Sequence, residues 1–584
     1  MNDAMEAQSD RHNAPHTIPL VKDKYGLYHP NDEADVIALI KFAAQKNAQI
    51  RVRGASHSVA WSIYTNPVGG LPENKVSVHH APDSNDLNLI LSNIADLVWI
   101  DETQGIIECG AGIHLGKDPY DADGPATIEN SLLYQAWQKG WAVNITGGIS
   151  HQTVAGFSQT GSAGGSTTYG FSNITAYRII DGTGNAEWID DSDDRFHAVA
   201  VSMGLLGIIV RVRMQLVPAY NIAGVEYTVP AGGNDCPVDL FGPGDAAKPS
   251  LEHYLQSKTY ARMEWWPQAG AERVIFWEAA RQDPAKSPTP PTPYYEFTPD
   301  FAGQTEQLAA SILFTMLGNR GIGQSFAKLI PNYAKYARNL SQLFAGTVGG
   351  FFAGILSVII TIIIAALMLL PCLVFAIFPN FLISLFPKLL GIFQPMSGGK
   401  PTTFNDYYWR SLPMDNSADD VLLGSEFTEI WVPIKYTETC MKLLRDMFVK
   451  NGSAATGFFE LEVYAAPPNQ HWLSPSYSSG DDEFSDGAVR FDIFWYRANA
   501  GQPNQQDGFF AQYWELFRAN GLPFRFHWGK FVPAYDFPYW AQYYAKTLPK
   551  FGEFLALRAQ RDPHNLFFTE YWQQRLTGQT ETEN

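Results

Sequence analysis

Between Asn339 and Pro387 the sequence carries no charged side chain, and the run Thr347 to Leu370 inside it is built mainly from Ile, Leu, Phe, Ala and Gly. About 20 consecutive apolar residues cross a bilayer as a helix, whereas a soluble helix of comparable length shows a polar stripe. This run shows none. A second apolar leg, Cys372 to Phe386, follows Pro371, is interrupted by Pro379 and ends at Pro387. Lys328, Lys335 and Arg338 precede the two legs, and Lys388 and Lys400 follow them. If both legs insert, the positive-inside rule favours a hairpin with both ends on the cytoplasmic side. Residues 339–394 are therefore expected to attach the chain to a membrane, with the remaining body facing the cytoplasm. A buried helical pair within a soluble core is the competing reading.

The 584 residues are too many for a single core, and a net charge of -18 repels phosphate backbones, which argues against nucleic acid as a partner. Cys109, Cys236, Cys372 and Cys440 lie far apart with no CxxC spacing, so neither a zinc site nor a disulfide framework is expected. Met1 to Asn13 is polar and lacks the apolar core of a secretory address.

The first part of the chain alternates short helices and strands. Val36 to Gln45 reads as an amphipathic helix, Ile50 to Val52 as a strand, and Leu97 to Ile100 with Gly105 to Cys109 as a strand pair. Ile174 to Asp181 and Ala186 to Ile189 flank the turn Asp181-Gly182-Thr183-Gly184, a hairpin signature. Ile208 to Val217 alternates as a half-buried strand does. Beyond Pro218 aromatic strands such as Met263 to Pro267 and Glu429 to Pro433 mix with Pro-rich loops. The expectation is an α+β chain in three parts: 1–218, 219–504 carrying the hydrophobic insertion at 339–394, and an aromatic-rich segment 505–584.

Two stretches carry chemistry. Arg51-Val52-Arg53-Gly54-Ala55-Ser56-His57-Ser58 places a glycine turn, small hydroxyls and one histidine directly after a strand. Backbone N–H groups around such a turn form a nest for a pyrophosphate, and no P-loop lysine follows. Residues 147–171 are rich in Gly, Ser and Thr and uncharged. Side-chain-free positions at Gly147, Gly148, Gly156, Gly161, Gly164 and Gly165 let the backbone close on a long flat anion, while Ser150, Thr153, Thr160 and Ser162 offer hydroxyls to it. A flexible linker is the alternative; the interleaved Phe157, Tyr169 and Phe171 argue against it.

These motifs, with Thr146-Gly147-Gly148-Ile149-Ser150-His151-Gln152-Thr153-Val154-Ala155-Gly156, His527-Trp528-Gly529-Lys530 and Asp562-Pro563 through Asn565-Leu566-Phe567 to Glu570-Tyr571, make the chain resemble the vanillyl-alcohol-oxidase superfamily of FAD enzymes, in the branch of the alditol and aldonolactone oxidases. The resemblance covers most of 20–217 and 421–575 and omits the apolar insertion. It implies a two-domain PCMH-type FAD-binding fold, an antiparallel-sheet substrate (cap) domain, and an inserted hydrophobic helical hairpin. It implies FAD held by Arg53, Gly54, Ala55, Ser56, His57, Ser58, Gly147, Gly148, Ser150, Thr153, Gly156, Thr160, Gly161, Ala163, Gly164 and Ile208, with a covalent link from His57 to the flavin 8α methyl group. The family's usual His-Gly pair is Gly164-Gly165 here. No metal is implied.

For the reacting centre the resemblance points to Glu460 and Lys530, with Glu462 and His527 beside them. Phe459-Glu460-Leu461-Glu462-Val463 is strand-like, so its two carboxylates share a face and raise each other's pKa. The family segment reads Glu-x-Arg, and on this alignment Glu462 stands at the arginine position. The cation left to stabilise a developing alkoxide is Lys530, alone or with Arg525 or Arg497. Glu429 and Glu264 are weaker site candidates. The implied reaction is oxidation of a CH–OH carbon by hydride transfer to flavin N5, with oxygen as acceptor giving hydrogen peroxide. Gly147 stands where the family controls oxygen access by side-chain size. The substrate is a small-molecule polyol or aldonolactone, or a lipid or sterol alcohol delivered through the insertion; Trp265, Trp266, Trp472 and Trp495 suit either. A dehydrogenase passing electrons to a quinone or cytochrome, and a flavin-fold protein without turnover, are the alternatives.

Overall fold

A computed structural model of the chain describes residues 21–23, 26–65, 86–118, 126–171, 173–318, 322–413, 422–497, 499 and 508–579. The polar N-terminus and the expected boundary at 504/505 lie outside these residues.

Helix α1, Glu33–Lys46, begins where the Asp32 carboxylate accepts from the Asp35 N–H and ends at Asn47, whose φ of 49° is left-handed. Val36, Leu39, Ile40 and Ala43 form its buried stripe at helical spacing. The chain then enters β1, Ile50–Arg53, which pairs in parallel with β2, Leu87–Ile90. Five antiparallel strands follow: β3 (Leu97–Asp101), β4 (Ile106–Gly110), β6 (Ile174–Ile180), β7 (Ala186–Asp190) and β8 (Ile208–Gln215), in the order β3-β4-β8-β6-β7. The hairpin between β6 and β7 turns at Asp181–Gly184, where the Asp181 carboxylate accepts from the N–H groups of Thr183 and Asn185 and Gly184 supplies a φ of 82°. Two short strands, β5 (Trp141–Ala142) and β9 (Val217–Pro218), pair nearby.

The second sheet has eight antiparallel strands. They are β10 (Asn221–Pro230), β11 (Tyr260–Trp266), β12 (Arg273–Gln282), β13 (Thr402–Tyr407), β14 (Ser425–Pro433), β15 (Leu461–Ala466), β16 (Ala488–Tyr496) and β17 (Arg525–Phe526), in the order β13-β10-β12-β11-β15-β16-β14-β17. Every residue of β15 and β16 is buried. Charged side chains nevertheless recur along them, and their register places Glu264, Glu462, Asp492 and Glu429 in one row across four adjacent strands. Helices and antiparallel sheets in these proportions fit the expected α+β class.

Segments far apart in the sequence close on β1. The Ile50 N–H donates to the Leu566 carbonyl, and the buried Arg51 guanidinium donates to the carbonyls of Ser62, Met203 and Phe567. The Phe567 carbonyl is held in place because the Asp562 carboxylate accepts from the N–H groups of Leu566 and Phe567. The Asp562 to Phe567 signature is thus a turn that presents acceptors to the first strand.

The apolar insertion differs from the expected hairpin. Helix α3 (Phe301–Gly318) leads to α4 (Ile322–Val348), and the chain reverses at Gly349, φ 79°, into α5 (Gly350–Ile377). The turn is therefore at Gly349, and Pro371 lies inside α5. Proline's φ suits a helix and its ring costs one hydrogen bond and some bending, so the helix runs through it. A further helix, α6 (Pro379–Phe393), follows. Its Leu382, Phe386 and Leu390 join a core with Trp266, Phe314 and Phe459 that ties the insertion to the eight-stranded sheet. α5 is long and apolar enough to cross a membrane, with a mean hydropathy of 3.0 over its most apolar window, and only 11% of that window is buried. Phe351, Phe352, Leu367 and Leu370 are each 65% exposed or more. A buried core helix is excluded for α5.

Replacing Arg51 with methionine would strip three buried carbonyls of their donor while keeping the side-chain volume. Because an unsatisfied buried acceptor costs about 1–3 kcal/mol, Arg51→Met should lower unfolding free energy by about 3 kcal/mol or more in a urea titration. A loss below about 1 kcal/mol would show that water replaces the guanidinium.

Candidate functional site

A single cleft collects the motifs. Its first wall is the β1 loop and the 147–163 segment, its second is the charged row of the eight-stranded sheet, and the segment after β17 closes one end.

In the first wall, Arg53, Gly54, Ala55, Ser56, His57 and Ser58 all line the cleft, as do Gly147, Gly148, Thr153, Gly156, Thr160, Ala163 and Ile208. Their backbones lie unusually close. A Cβ on Gly54 would stand 2.6 Å from Thr153 Oγ1, so the two loops meet where a side chain would not fit. The segment is no linker: α2 (Val154–Thr160) is capped by the Thr153 hydroxyl, Phe157 packs edge-on against Phe171 at 4.3 Å, and the Arg281 guanidinium lies 3.6 Å over Tyr169. Three expected cofactor contacts stand behind the wall. Ser150 packs against the Gly116 turn, Gly161 is the left-handed cap of α2 with φ 74°, and a Cβ on Gly164 would come 1.9 Å from the Thr146 carbonyl oxygen. These residues shape the loop without lining the cleft.

In the second wall, Glu429, Glu462, Tyr464, Arg490 and Asp492 project inward. The Tyr464 hydroxyl donates to Glu462 Oε2 at 2.5 Å, and Arg490 donates to Asp492 Oδ2 at 2.8 Å and to the Ala163 carbonyl at 2.8 Å. The Trp431 indole N–H donates to Glu429 Oε2 at 3.2 Å. Burial pushes the Asp492 carboxyl well above the usual carboxylate range, with Arg490 opposing the rise and Glu429 and Glu462 adding to it. Burial acts in the same sense on Glu429, but the charges of Arg490 and Lys530 and the hydrogen bond from Trp431 outweigh it and hold that carboxyl low.

At the closing end, Lys530 Nζ donates to the His57 carbonyl at 2.9 Å and sits 3.9 Å over the Phe427 ring. His527 is buried; its Nδ1 accepts from the Gly529 N–H at 3.2 Å, which leaves the proton on Nε2, 3.4 Å from Ser162 Oγ. Burial pushes its imidazole down to about 4.

The expectation for Glu460 is corrected. The chain becomes extended only at Leu461, after Phe458 takes a φ of 58° and Phe459 tucks among Trp266, Phe314, Phe494 and Tyr496. Glu460 therefore precedes the strand and does not line the cleft, and the inward positions are Glu462 and Tyr464. Of the other cations considered, Arg497 lines the cleft beside Glu426, while Arg525 is spent on the carbonyls of Tyr477 and Thr547. Glu429 is in the cleft and Glu264 is not. The expected aromatic lining is also corrected: Trp265, Trp266, Trp472 and Trp495 pack outside the cleft, and Phe427, Tyr464 and Phe494 line its charged end instead. Arg490 and Asp492 had no sequence motif to announce them; their only signal was a charge pair alternating within an otherwise apolar strand.

The residues of the first wall fit FAD. The cradle is one that added Cβ atoms would fill, and two of its buried polar atoms, Arg53 Nε and Gln152 Oε1, have no partner among the described residues. Among the described residues no group of three metal-binding side chains forms.

Residues 421–575 match the family model for D-arabinono-1,4-lactone oxidase. The chain is 24% identical over 271 residues to D-arabinono-1,4-lactone oxidase of Kluyveromyces lactis, covering 45% of this chain and 42% of that protein. It is 30% identical over 158 residues to D-arabinono-1,4-lactone oxidase of Yarrowia lipolytica, covering 26% and 27% of the two chains. It is 26% identical over 152 residues to L-gulonolactone oxidase of Scyliorhinus torazame, covering 26% and 31%. The chain thus matches less than half the length of these relatives. Over part of its length it is similar to the aldonolactone oxidases, and 421–575 is an aldonolactone-oxidase-type segment.

His527 gives a pH test. Its folded-state pKa of about 4 lies below the ordinary 6.5, so between these values the unfolded chain takes up a proton that the folded chain refuses. Stability from this group is therefore present above pH 6.5 and lost as pH falls towards 4, by about 3 kcal/mol. In urea titrations at pH 7 and pH 4.5, the wild type should lose more stability than His527→Gln; parallel losses would refute the buried neutral imidazole.

Proposed function

We propose that the protein is an FAD-linked oxidase acting on the CH–OH carbon of an aldonolactone or closely related polyol. The observation that carries this reading is the cleft itself, where a glycine-lined wall bearing His57 faces a row of carboxylates and cations at a distance Lys530 bridges. The proposed division is a PCMH-type cofactor domain over 1–218, a substrate domain over 219–504 and a closing segment over 505–584.

FAD, when bound, supplies the two-electron acceptor. Arg53 to Ser58 and Gly147 to Ala163 hold it, and His57 is the proposed point of covalent attachment. On the opposite wall Glu462 accepts the substrate hydroxyl proton, and its bond from Tyr464 orients the receiving oxygen. Lys530 places positive charge at the junction of the two walls, and His527, neutral at pH 7, donates from Nε2 towards Ser162 without adding charge. Oxygen is the proposed electron acceptor. Gly147 lines the cleft, and even a Cβ there would press to 3.2 Å from Gln152 Oε1, so a larger side chain would fill the opening.

The charged lining favours a polyhydroxylated substrate over a lipid or sterol alcohol, because an apolar ring system would desolvate Glu429, Glu462, Asp492 and Arg490 without returning hydrogen bonds. The apolar face of α5 then serves attachment to a bilayer rather than substrate delivery. The flanking basic residues support an orientation with the cleft on the cytoplasmic side.

Two outcomes test these readings. Protein purified in detergent should be yellow, the colour should stay with the acid-precipitated pellet, and His57→Ala should release it to the supernatant. Colour released from the wild type would overturn the covalent link, and a colourless chain that refuses FAD would overturn the function. Membranes washed with alkaline carbonate should retain the protein; release without detergent would overturn the attachment.

A further inference from the structure

The sheet wall holds a guanidinium at a place the family pattern does not put one. Glu462 and Tyr464 are the consecutive inward residues of β15, so the Glu-x-Arg pattern falls on Glu462-Val463-Tyr464 and its arginine position is an uncharged phenol. Directly opposite Tyr464, on β16, stands Arg490. Its guanidinium carbon lies 4.2 Å from the Tyr464 ring centroid, so the lost charge reappears one strand away over the same patch of the cleft.

We propose that Arg490 is a substrate-contacting residue that replaces the missing β15 arginine, binding the oxygen of the CH–OH group and holding the negative charge that develops as its proton leaves. This rests on the aldonolactone-oxidase reading above. In the step it serves, the O–H bond breaks with its proton passing to the Glu462 carboxylate. The C–H electron pair leaves as hydride to the flavin oxidant, and a C=O bond forms.

Three observations carry the assignment. First, Arg490 is 6% exposed and lines the cleft, and its Nε is buried with no hydrogen-bond partner among the described residues, leaving a donor for a ligand. Second, its other donors are fixed. Asp492 takes Nη2, the Ala163 carbonyl takes Nη1, and Glu429 Oε2 lies 3.7 Å from Nη1, so the fork is pre-oriented before substrate arrives. Ala163 belongs to the cofactor wall, so the same guanidinium sets the spacing of the two walls. Third, a buried ion pair at the centre of a sheet is weak stabilisation, since well-packed apolar residues of similar volume commonly do as well or better. Charges kept there need another use. Among the described residues, the titratable groups that act on Arg490 are Glu462 and Tyr464 on β15, Asp492 on β16, Glu429 on β14 and His527 after β17, with Lys530 acting on Asp492 and His527.

The test compares wild type, Arg490→Gln, Arg490→Lys and the double variant Tyr464→Arg/Arg490→Gln, each in its FAD-loaded form, with D-arabinono-1,4-lactone as the probe. Bound flavin is read from the visible spectrum, lactone binding from its perturbation at equilibrium, and chemistry from the anaerobic rate of flavin bleaching. Arg490→Gln should load FAD as wild type does, bind lactone at least about tenfold more weakly and bleach about 100-fold more slowly, the scale of losing one preorganised charge donor. Arg490→Lys keeps the charge but loses the fork, and should be slowed about tenfold. Returning the guanidinium to β15 in the double variant should recover at least about tenfold over Arg490→Gln, which a merely structural ion pair would not do. Rates within threefold of wild type in Arg490→Gln, or no recovery in the double variant, would overturn the proposal. If Arg490→Gln fails to load FAD, a wild-type rate in Arg490→Lys overturns it. A loaded wild type that no lactone bleaches would instead overturn the functional reading, and this assignment with it.

Discussion

The buried guanidinium of Arg51 fixes the geometry on which the cleft depends. Its three acceptors come from the helix after the first loop, from the 203 turn and from the C-terminal signature, so its burial is tolerable only when all three converge. Convergence places residues 53–58 at the mouth of the cleft and brings the segment carrying His527 and Lys530 alongside. The hydrogen bond from Lys530 to the His57 carbonyl repeats the closure at the site itself. Two segments from opposite ends of the sequence are thereby set within reach of one ligand.

The sheet wall has a different logic. Strands β15 and β16 are buried throughout, yet the wall bears the carboxylates of Glu429, Glu462 and Asp492 with the Arg490 guanidinium beside them. Such an arrangement is held by pairing: Arg490 on Asp492, Tyr464 on Glu462, Trp431 on Glu429. The competition among these groups drives two chemically alike carboxyls apart, Glu429 towards the ionised form and Asp492 towards the protonated one. A face of this kind can both give and take protons, which an apolar core face cannot.

How much of this was legible in the sequence varied with the physical signal. Helix α1, the β6–β7 hairpin and the β1 loop were readable because stripe, turn and glycine act locally, over a few residues. Glu462 and Lys530 were reachable through motifs. Glu460 was not separable from Glu462 by alternation, since a period of two gives the face but not the residue at which the strand begins; the turn at Phe458 decides that, and it depends on Phe459 packing against α3 and the sheet. Arg490 and Asp492 escaped because their meaning lies in cross-strand register, a long-range property. The reversal is hidden in the sequence because Pro371 reads as a helix breaker, whereas α5 runs through it and the left-handed Gly349 makes the turn.

Strand β1 has a consequence for biosynthesis. It is made before α5, whereas the Leu566 and Phe567 carbonyls that receive Ile50 and Arg51 follow 516 residues later, after α5. Translation delivers α5 well before that, so the nascent polypeptide exposes its most apolar helix while the β1 loop is still unbraced. On the proposed attachment to a bilayer, partition of α5 would precede cofactor capture.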